Sequence, residues 1–179
     1  MKSAEDIVRY YGGEGCDGEG RSLAEVQGWP DDFLERVHDF IQWMFPLGER
    51  SMFNPDAPVL NNAAIAQFRS SPKLRANLRA SFARMLAFYG FEMRESPSLR
   101  IGPSAAFQKR SEEWLTPGNH NHLRITRILK SLSILGLEEE ANRFFECLSE
   151  VYDSQDQHRQ PIPLETLRYW KSAVAENIK

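Results

Sequence analysis

The sequence has 179 residues, which suffices for one domain with a substantial core and is short for two. Its hydrophobic content of 41% and charged content of 26% are typical of a soluble globular protein. The net charge of −3 disfavours a dedicated nucleic-acid binder, and no apolar run approaches the roughly 20 residues of a membrane-spanning helix. Acidic residues near the N-terminus argue against a signal peptide, so we expect a cytoplasmic protein without an anchor.

Capping and breaking residues predict an all-α protein, a single domain over residues 1–179 with about seven to eight helices in an irregular array. The predicted helices, in chain order, are residues 3–10, a short turn after 22, 30–44, 61–69, 72–89, 104–114, 119–136, 137–151 and 164–177. Residues 12–20 are predicted to be a flexible acidic connector, 92–102 to be irregular or weakly extended, and 153–163 to be an acidic linker.

Charge is distributed unevenly along the chain. The net charge is −7 over residues 1–56, +8 over 57–137 and −4 over 138–179. The central basic block either packs against acidic elements of the same domain or forms an anion-binding face, and the acidic overall balance favours the first interpretation.

His38 and Gln42 are the first candidate binding residues. They lie one turn apart on the predicted helix 30–44 and border its apolar stripe, where they could bond each other or a neighbouring helix. A histidine at such a boundary is usually structural. Acid–base catalysis would need a cleft and a substrate, which the sequence does not show.

A second candidate site lies in the segment Asn119 to Gly136, which is apolar on more than one side yet carries a polar face. His120, Arg124 and Arg127 recur on that face at helical spacing. Because an unpaired buried charge is costly, the face either pairs internally or lines a groove.

The start of the same helix is a predicted anion site. Asn119 or Asn121 can cap the helix and leave its amide end near the two arginines and Trp114. The occupant would be a phosphate, a carboxylate, or an internal acid such as Asp39. We favour the interpretation that an internal acid occupies the site.

The histidine and cysteine spacings do not predict a metal or cofactor. His120 and His122 are two residues apart with no cysteine nearby, and Cys16 and Cys147 fit no metal or redox spacing. The sequence contains no nucleophile-elbow, zinc-protease or dinucleotide motif. We therefore predict no catalytic residues, and an enzyme using His38 or His120 is the third hypothesis.

Nucleic-acid binding is the alternative function. Arg75, Arg79 and Arg84 lie on the predicted helix 72–89, and no acid occurs between Asp56 and Glu92. Together with Arg124 and Arg127 these residues would contact phosphates and give steeply salt-dependent binding.

Four motifs resemble the conserved region of opioid growth factor receptor proteins, over about residues 7–148. They are Arg9-Tyr10-Tyr11 with the glycine-rich loop, HDFIQWMFPL at 38–47, MLAFYG at 85–90 and NHLRITRILKSL at 121–132. The resemblance implies a soluble-type receptor domain. In eukaryotic members it implies enkephalin-peptide binding, growth inhibition and nuclear or nuclear-membrane association, with any membrane contact peripheral.

We expect a compact single-domain member of that family, without the repeat-bearing C-terminal tail of the vertebrate forms. The leading hypothesis is a non-enzymatic binding module for a peptide or small anionic ligand. The resemblance supplies no catalytic residues.

Overall fold

The computed structural model describes residues 2–52, 54–156 and 160–175. Over these residues the chain forms ten α-helices and one two-stranded sheet. The helices are α1 Ala4–Gly12, α2 Leu23–Gln27, α3 Asp31–Arg36, α4 Ile41–Met44, α5 Asn62–Ser70, α6 Pro72–Tyr89, α7 Phe107–Trp114, α8 Asn121–Ile134, α9 Glu138–Ser154 and α10 Leu164–Ala175. The predicted all-α class is confirmed, although ten helices replace the expected seven to eight.

The chain divides into two compact units. Unit 1 contains the residues up to Arg84 together with Ile134–Gly136, and unit 2 contains Met85–Ser133 and the residues from Leu137 onward. The predicted organisation as a single domain stays a prediction.

Predicted caps start three helices of unit 1. Ser3 and Ser22 each accept a hydrogen bond from the third backbone amide of their helix, α1 and α2, in complete capping boxes. The Asn61 side chain accepts from the Ala64 amide at 2.9 Å and caps α5. The core of unit 1 contains the fully buried side chains Tyr10, Tyr11, Leu34, Phe40, Met44, Phe45, Phe68, Leu78 and Phe82.

The predicted helix 30–44 is wrong in one respect, because the chain leaves the helix after Arg36. Val37 takes an extended conformation with ψ of 131° and separates α3 from α4. All residues from Ile41 to Leu47 are buried. A surface helix buries only one stripe, so this run requires a break that turns it into the interior.

The glycine-rich segment 12–20 is more than the predicted connector, because Asp17 anchors it. Asp17 is 1% exposed, and its Oδ1 accepts the backbone amides of Glu19 and Arg21, both at 2.9 Å. A buried carboxylate needs such donors to offset its desolvation. The segment is therefore fixed to the body of unit 1.

Unit 2 begins within α6, which ends at Gly90 with φ of +88°. A side chain there would also approach the Phe107 backbone at 2.7 Å, so glycine is required for both reasons. The strands β1 Phe91–Arg94 and β2 Arg100–Pro103 then pair antiparallel, with Phe91 opposite Pro103 and Met93 opposite Ile101. For residues 92–102, predicted to be irregular or weakly extended, the structure shows the extended alternative, paired into a hairpin that the sequence analysis did not predict.

Helices α7 to α10 complete unit 2 around Trp114, Ile125, Leu129, Phe144 and Trp170, which are all fully buried. The predicted linker 153–163 overlaps the end of α9, and its Ile162 is buried in the core. Positions 157–159 of that linker, and 176–177 of the predicted last helix, lie outside the described residues. None of the helices in the described part is long and apolar enough to cross a membrane.

Candidate functional site

An open groove of about 640 Å³ lies on unit 1. Three segments line it: the N-terminus with the glycine-rich loop, the chain between α3 and α4, and the loop after α4. The lining residues are Lys2, Gly18, Glu19, Arg21, His38, Asp39, Trp43, Asn54, Asp56 and Ala57. We call this the unit 1 groove. It contains His38, one of the predicted binding residues, on its wall.

Arg21 joins two of these segments. Its Nε donates to Asp17 Oδ2 at 2.6 Å, and its Nη2 donates to Asp39 Oδ1 at 3.0 Å. Its guanidinium also lies 5.2 Å from the ring centre of Trp29. Burial opposes the charge of Arg21, but its hydrogen bonds to the two carboxylates outweigh burial and raise its pKa. The glycine-rich loop is thus tied to the chain between α3 and α4 by a permanent cation.

Trp43 forms part of the groove from within the core. Its ring packs edge-on against Tyr10 at 5.5 Å, and the side chain is only 3% exposed. The Lys2 ammonium lies 5.8 Å from the centre of its ring. A Cβ placed on Gly18 would lie 3.8 Å from the indole Nε1, so this nitrogen faces the groove wall that Gly18 forms. The indole N–H has no hydrogen-bond partner in the described part of the chain.

Gln42 lies in the core beside this region. The residue is 5% exposed; its Nε2 donates to Ser51 Oγ at 3.4 Å, and its Oε1 has no partner among the described residues. The suggested bond between His38 and Gln42 is absent from the structure as described. Of the two residues, only His38 lines the groove.

The start of α8 is an interior hydrogen-bonded cluster of unit 2. Trp114 Nε1 donates to the Tyr89 carbonyl at 3.0 Å, and Asn121 Oδ1 lies 3.4 Å from Arg124 Nη1 and 3.5 Å from the Tyr89 hydroxyl. Trp114 and Asn121 are fully buried and Arg124 is 5% exposed. The structure brings these three predicted residues together.

Asn119 fulfils the predicted capping role in α8. Its Oδ1 accepts the Asn121 amide at 2.9 Å, while its Nδ2 donates to the Glu113 carbonyl and to Thr116 Oγ1, each at 2.9 Å. His120 is exposed and Arg127 is half-buried. Their assignment to a ligand, like that of Arg124, stays a prediction.

His122 is a central residue of unit 2 that our site predictions left out. Its Nε2–H donates to the Trp114 carbonyl at 3.1 Å, and its own carbonyl accepts from Trp170 Nε1 at 3.2 Å. Its ring lies edge-on to both indoles, at 6.5 Å from Trp114 and 5.9 Å from Trp170. Burial lowers the pKa of His122, despite the opposing bond to the Trp114 carbonyl. The neutral imidazole joins α7, α8 and α10.

The arginines of the nucleic-acid alternative are partly engaged in unit 1. Arg84 donates to the Trp29 carbonyl and to Asp31 Oδ1, both at 2.7 Å, and Arg75 donates to the Arg69 carbonyl. Arg75, Arg79 and Arg84 are all half-buried. Phosphate contact by this set stays a prediction.

Unit 2 has a groove of its own, of about 470 Å³, between the hairpin and α9. Two of its three arginines are paired with acids, Arg94 with Glu92 and Arg143 with Glu146. Opposite charges are therefore largely matched within this groove. In the described residues, no group of three or more His, Cys, Asp or Glu side chains is arranged to hold a metal ion.

Sequence reasoning missed Trp43 and Arg21 as groove residues, and Asp17 as the buried partner of Arg21. The signals were present in part: Trp43 lies five residues after His38, and Asp17 and Arg21 have the spacing of an ion pair within one turn. Only the folded structure shows that the Asp17–Arg21 pair forms in a loop and that Arg21 also bonds Asp39.

The fold and the unit 1 groove define a predominantly helical protein with an open, charged surface cleft. The chain belongs to the family described as opioid growth factor receptor (OGFr) conserved region, which matches residues 10–178. The family resemblance deduced from the four motifs is therefore confirmed.

Relatives support the same assignment. The opioid growth factor receptor of Rattus norvegicus is 40% identical over 175 residues, which is 93% of this chain and 29% of that protein. The Mus musculus receptor is 39% identical over 93% of this chain and 26% of its own length. The Homo sapiens receptor is 41% identical over 63% of this chain and 17% of its own. The chain thus spans less than a third of each of these relatives, and no solved structure matches it.

Proposed function

We propose that this chain is a non-enzymatic binding module whose ligand is a peptide held in the unit 1 groove. The observation that carries the proposal is the groove itself. Its volume of about 640 Å³ lies within the range of known ligand sites. It presents side chains of both charges around a largely buried indole whose N–H has no hydrogen-bond partner among the described residues.

A peptide suits such a groove for a physical reason. Its backbone offers carbonyl acceptors at regular spacing, one of which can accept the Trp43 N–H, while its side chains reach the charged walls. The name of these relatives, opioid growth factor receptor, supports a binding role for the family's conserved region.

Peptide display tests the proposal. The full chain is used to select from a random peptide library, and the selected peptides are compared on two alanine variants. Gly18→Ala places a methyl group 3.8 Å from Trp43 Nε1 with no other described atom within 4 Å. Gly102→Ala is the matched control, since its methyl group meets nothing within 4 Å and lines the groove of unit 2.

We expect selected peptides to bind the wild type and Gly102→Ala equally and Gly18→Ala more weakly. A library that yields no binder, or binders that are indifferent to Gly18→Ala, would contradict the proposal. Arg127→Ala is included because the earlier prediction assigns the ligand to the start of α8. Loss of binding in that folded variant alone would favour α8.

Nucleic-acid binding remains the alternative function, through Arg75, Arg79 and Arg84. It predicts that single- or double-stranded oligonucleotides bind at low salt with a steep salt dependence. A flat titration at low salt eliminates it.

The cellular location is also part of the proposal. We propose that the chain acts in the cytoplasm, with nuclear or peripheral nuclear-membrane association as in the family's eukaryotic members. Cell fractionation with an epitope-tagged chain tests this: recovery in a secreted or integral-membrane fraction would contradict it.

A further inference from the structure

We infer that the unit 1 groove selects peptides carrying a lysine or arginine side chain, with that cation held by Glu19 and Asp56 and a neighbouring carbonyl bonded to Trp43. The inference rests on the proposed function and specifies the ligand of the same site. It follows from three features: the charge balance of the groove, the pairing of each charge, and the position of the Trp43 indole N–H at the groove wall.

Acidic side chains outnumber basic ones at the groove. The carboxylates of Glu19, Asp39 and Asp56 line it, against the two cations Lys2 and Arg21. The buried Asp17 carboxylate also bonds Arg21. A cleft with an excess of one sign concentrates ligands of the other sign and orients them on approach. The excess here is negative, which favours a cationic ligand.

The two cations differ in how far their charge is already balanced. Arg21 bonds two carboxylates, at 2.6 Å and 3.0 Å, so it has little remaining attraction for an anion. The Lys2 ammonium lies over the Trp43 ring and interacts electrostatically with Asp6, but it makes no ion pair or hydrogen bond with a carboxylate among the described residues. It is thus the only groove cation in the described part of the chain that is not directly bonded to a carboxylate.

The Glu19 and Asp56 carboxylates, unlike those that Arg21 binds, are not paired with a cation of the described chain. Glu19 and Asp56 are exposed, and neither carboxylate makes an ion pair or hydrogen bond with any residue that the structure describes. Two unpaired anions against one unpaired cation leave the groove able to accept one further positive charge. A lysine ammonium or an arginine guanidinium supplies it with several N–H donors.

Trp43 adds the second point of attachment. Only 3% of the residue is exposed, and its indole N–H faces the groove wall at Gly18 and has no hydrogen-bond partner among the described residues. The N–H is not among the fully buried unpaired atoms, so it is open to the groove, where an incoming acceptor can replace water. A peptide carbonyl provides the acceptor, because it lies on the same molecule as the cationic side chain.

The direct test uses the full chain and three blocked pentapeptides that differ at one position. The probes are acetyl-Ala-Ala-Lys-Ala-Ala-amide and its norleucine and glutamate analogues, titrated at low salt by isothermal calorimetry and by indole N–H resonances. The norleucine peptide preserves the length of the lysine side chain and removes its charge. We expect the lysine peptide to bind at least about tenfold more tightly than the norleucine peptide, and the glutamate peptide to bind most weakly.

Two double variants separate a groove effect from general attraction to an acidic protein. Glu19→Gln with Asp56→Asn neutralises the groove carboxylates, and Glu112→Gln with Glu113→Gln removes the same charge from an exposed turn of α7. The first should reduce the lysine peptide to the affinity of the norleucine peptide, and the second should leave at least half of the wild-type affinity. Equal losses in both would overturn the inference. Gly18→Ala, which tests the Trp43 contact without removing a core ring, should weaken all three peptides.

The outcomes also separate this inference from the proposed function. If peptides bind and shift the Trp43 N–H with no preference for lysine, the inference fails and the binding module stands. A preference for glutamate, abolished by Lys2→Gln, would reverse the assigned charge. If no peptide of any charge binds and display yields none, the proposed function itself fails.

Discussion

Removal of the Asp17 carboxylate is expected to destabilise the protein far more than removal of a similar exposed carboxylate. Asp17 accepts three hydrogen bonds, from the Glu19 and Arg21 amides at 2.9 Å and from Arg21 Nε at 2.6 Å, and its side chain is 0% exposed. In Asp17→Ala the two amides and part of the guanidinium are left without an acceptor. Breaking a buried pair usually costs about 3–5 kcal/mol, and the surviving Asp39 contact reduces this to about 2–3 kcal/mol.

Equilibrium unfolding in urea measures the effect, with Asp32→Ala as the control. Asp32 and Arg36 also form an ion pair one helical turn apart, at 3.2 Å, but their side chains are 71% and 69% exposed. With a slope of about 2 kcal/mol per molar urea, Asp17→Ala lowers the midpoint by about 1–1.5 M. Asp32→Ala changes the free energy of unfolding by less than about 1 kcal/mol. Asp17→Asn, which keeps one oxygen acceptor, is expected to fall between them.

Equal midpoints for Asp17→Ala and Asp32→Ala would refute the reasoning. They would mean that the carboxylate contributes no more in the buried loop than on an exposed helix. The segment 12–20 would then be the flexible connector that the sequence suggested, and the wall of the unit 1 groove that Gly18 and Glu19 form would lack its anchor.

Three further contrasts test individual side chains. The buried Tyr10 hydroxyl has no partner in the described chain, whereas the Tyr11 hydroxyl donates to a backbone carbonyl. Tyr10→Phe should therefore leave the free energy of unfolding unchanged or raise it by about 1 kcal/mol, and Tyr11→Phe should lower it by a similar amount. Cys16 is exposed, while Cys147 is 2% exposed with its pKa raised by burial to about 12; Ellman's reagent should therefore label one thiol quickly in the native protein. His122 has a lowered pKa, so the unfolded chain binds its proton more readily; the unfolding free energy should fall as pH drops below about 6.5 and level off below the folded pKa.

Each contrast has a control and an outcome that contradicts it. A clear loss of stability in Tyr10→Phe would show that its hydroxyl has a partner. The fast thiol reaction must vanish in Cys16→Ser; its persistence would place Cys147 at the surface. His122→Gln should flatten the pH dependence below about 6.5. A pH profile that His122→Gln leaves unaltered would remove His122 as its source.

Local signals in the sequence predicted most of the helices because those signals act within a few residues. The Ser3 and Ser22 capping boxes, the Asn61 cap and Gly90 after α6 all appear as predicted. Each depends on bonds between neighbours or on backbone conformation, which residue type and spacing determine.

The predicted helix 30–44 failed because its continuation depends on tertiary burial. Helix periodicity alone continues through Val37, but the chain instead becomes extended and buries Ile41 to Leu47 without interruption. The same limit applies to the site. Arg21 reaches Asp39 across 18 positions, and only the fold brings Gly18 beside Trp43.

The polar face of α8 shows most clearly what helical periodicity cannot predict. Periodicity placed His120, Arg124 and Arg127 on one face, but His120 is exposed, Arg127 is half-buried and Arg124 is 5% exposed. Spacing reveals that charges share a face, but it does not reveal how much of that face reaches solvent. The groove residues carry no periodic pattern, since they come from loops and short helices.

The indole N–H resonances test the central claim most directly, because the structure gives Trp43 an environment different from those of Trp114 and Trp170. Trp114 and Trp170 donate to backbone carbonyls at 3.0 Å and 3.2 Å inside unit 2, whereas the Trp43 N–H faces the unit 1 groove. On titration with the acetylated lysine pentapeptide, we predict a saturable shift of the Trp43 resonance while those of Trp114 and Trp170 stay in place. A shift at Trp114 with Trp43 unmoved would transfer the ligand to the start of α8 and contradict the account.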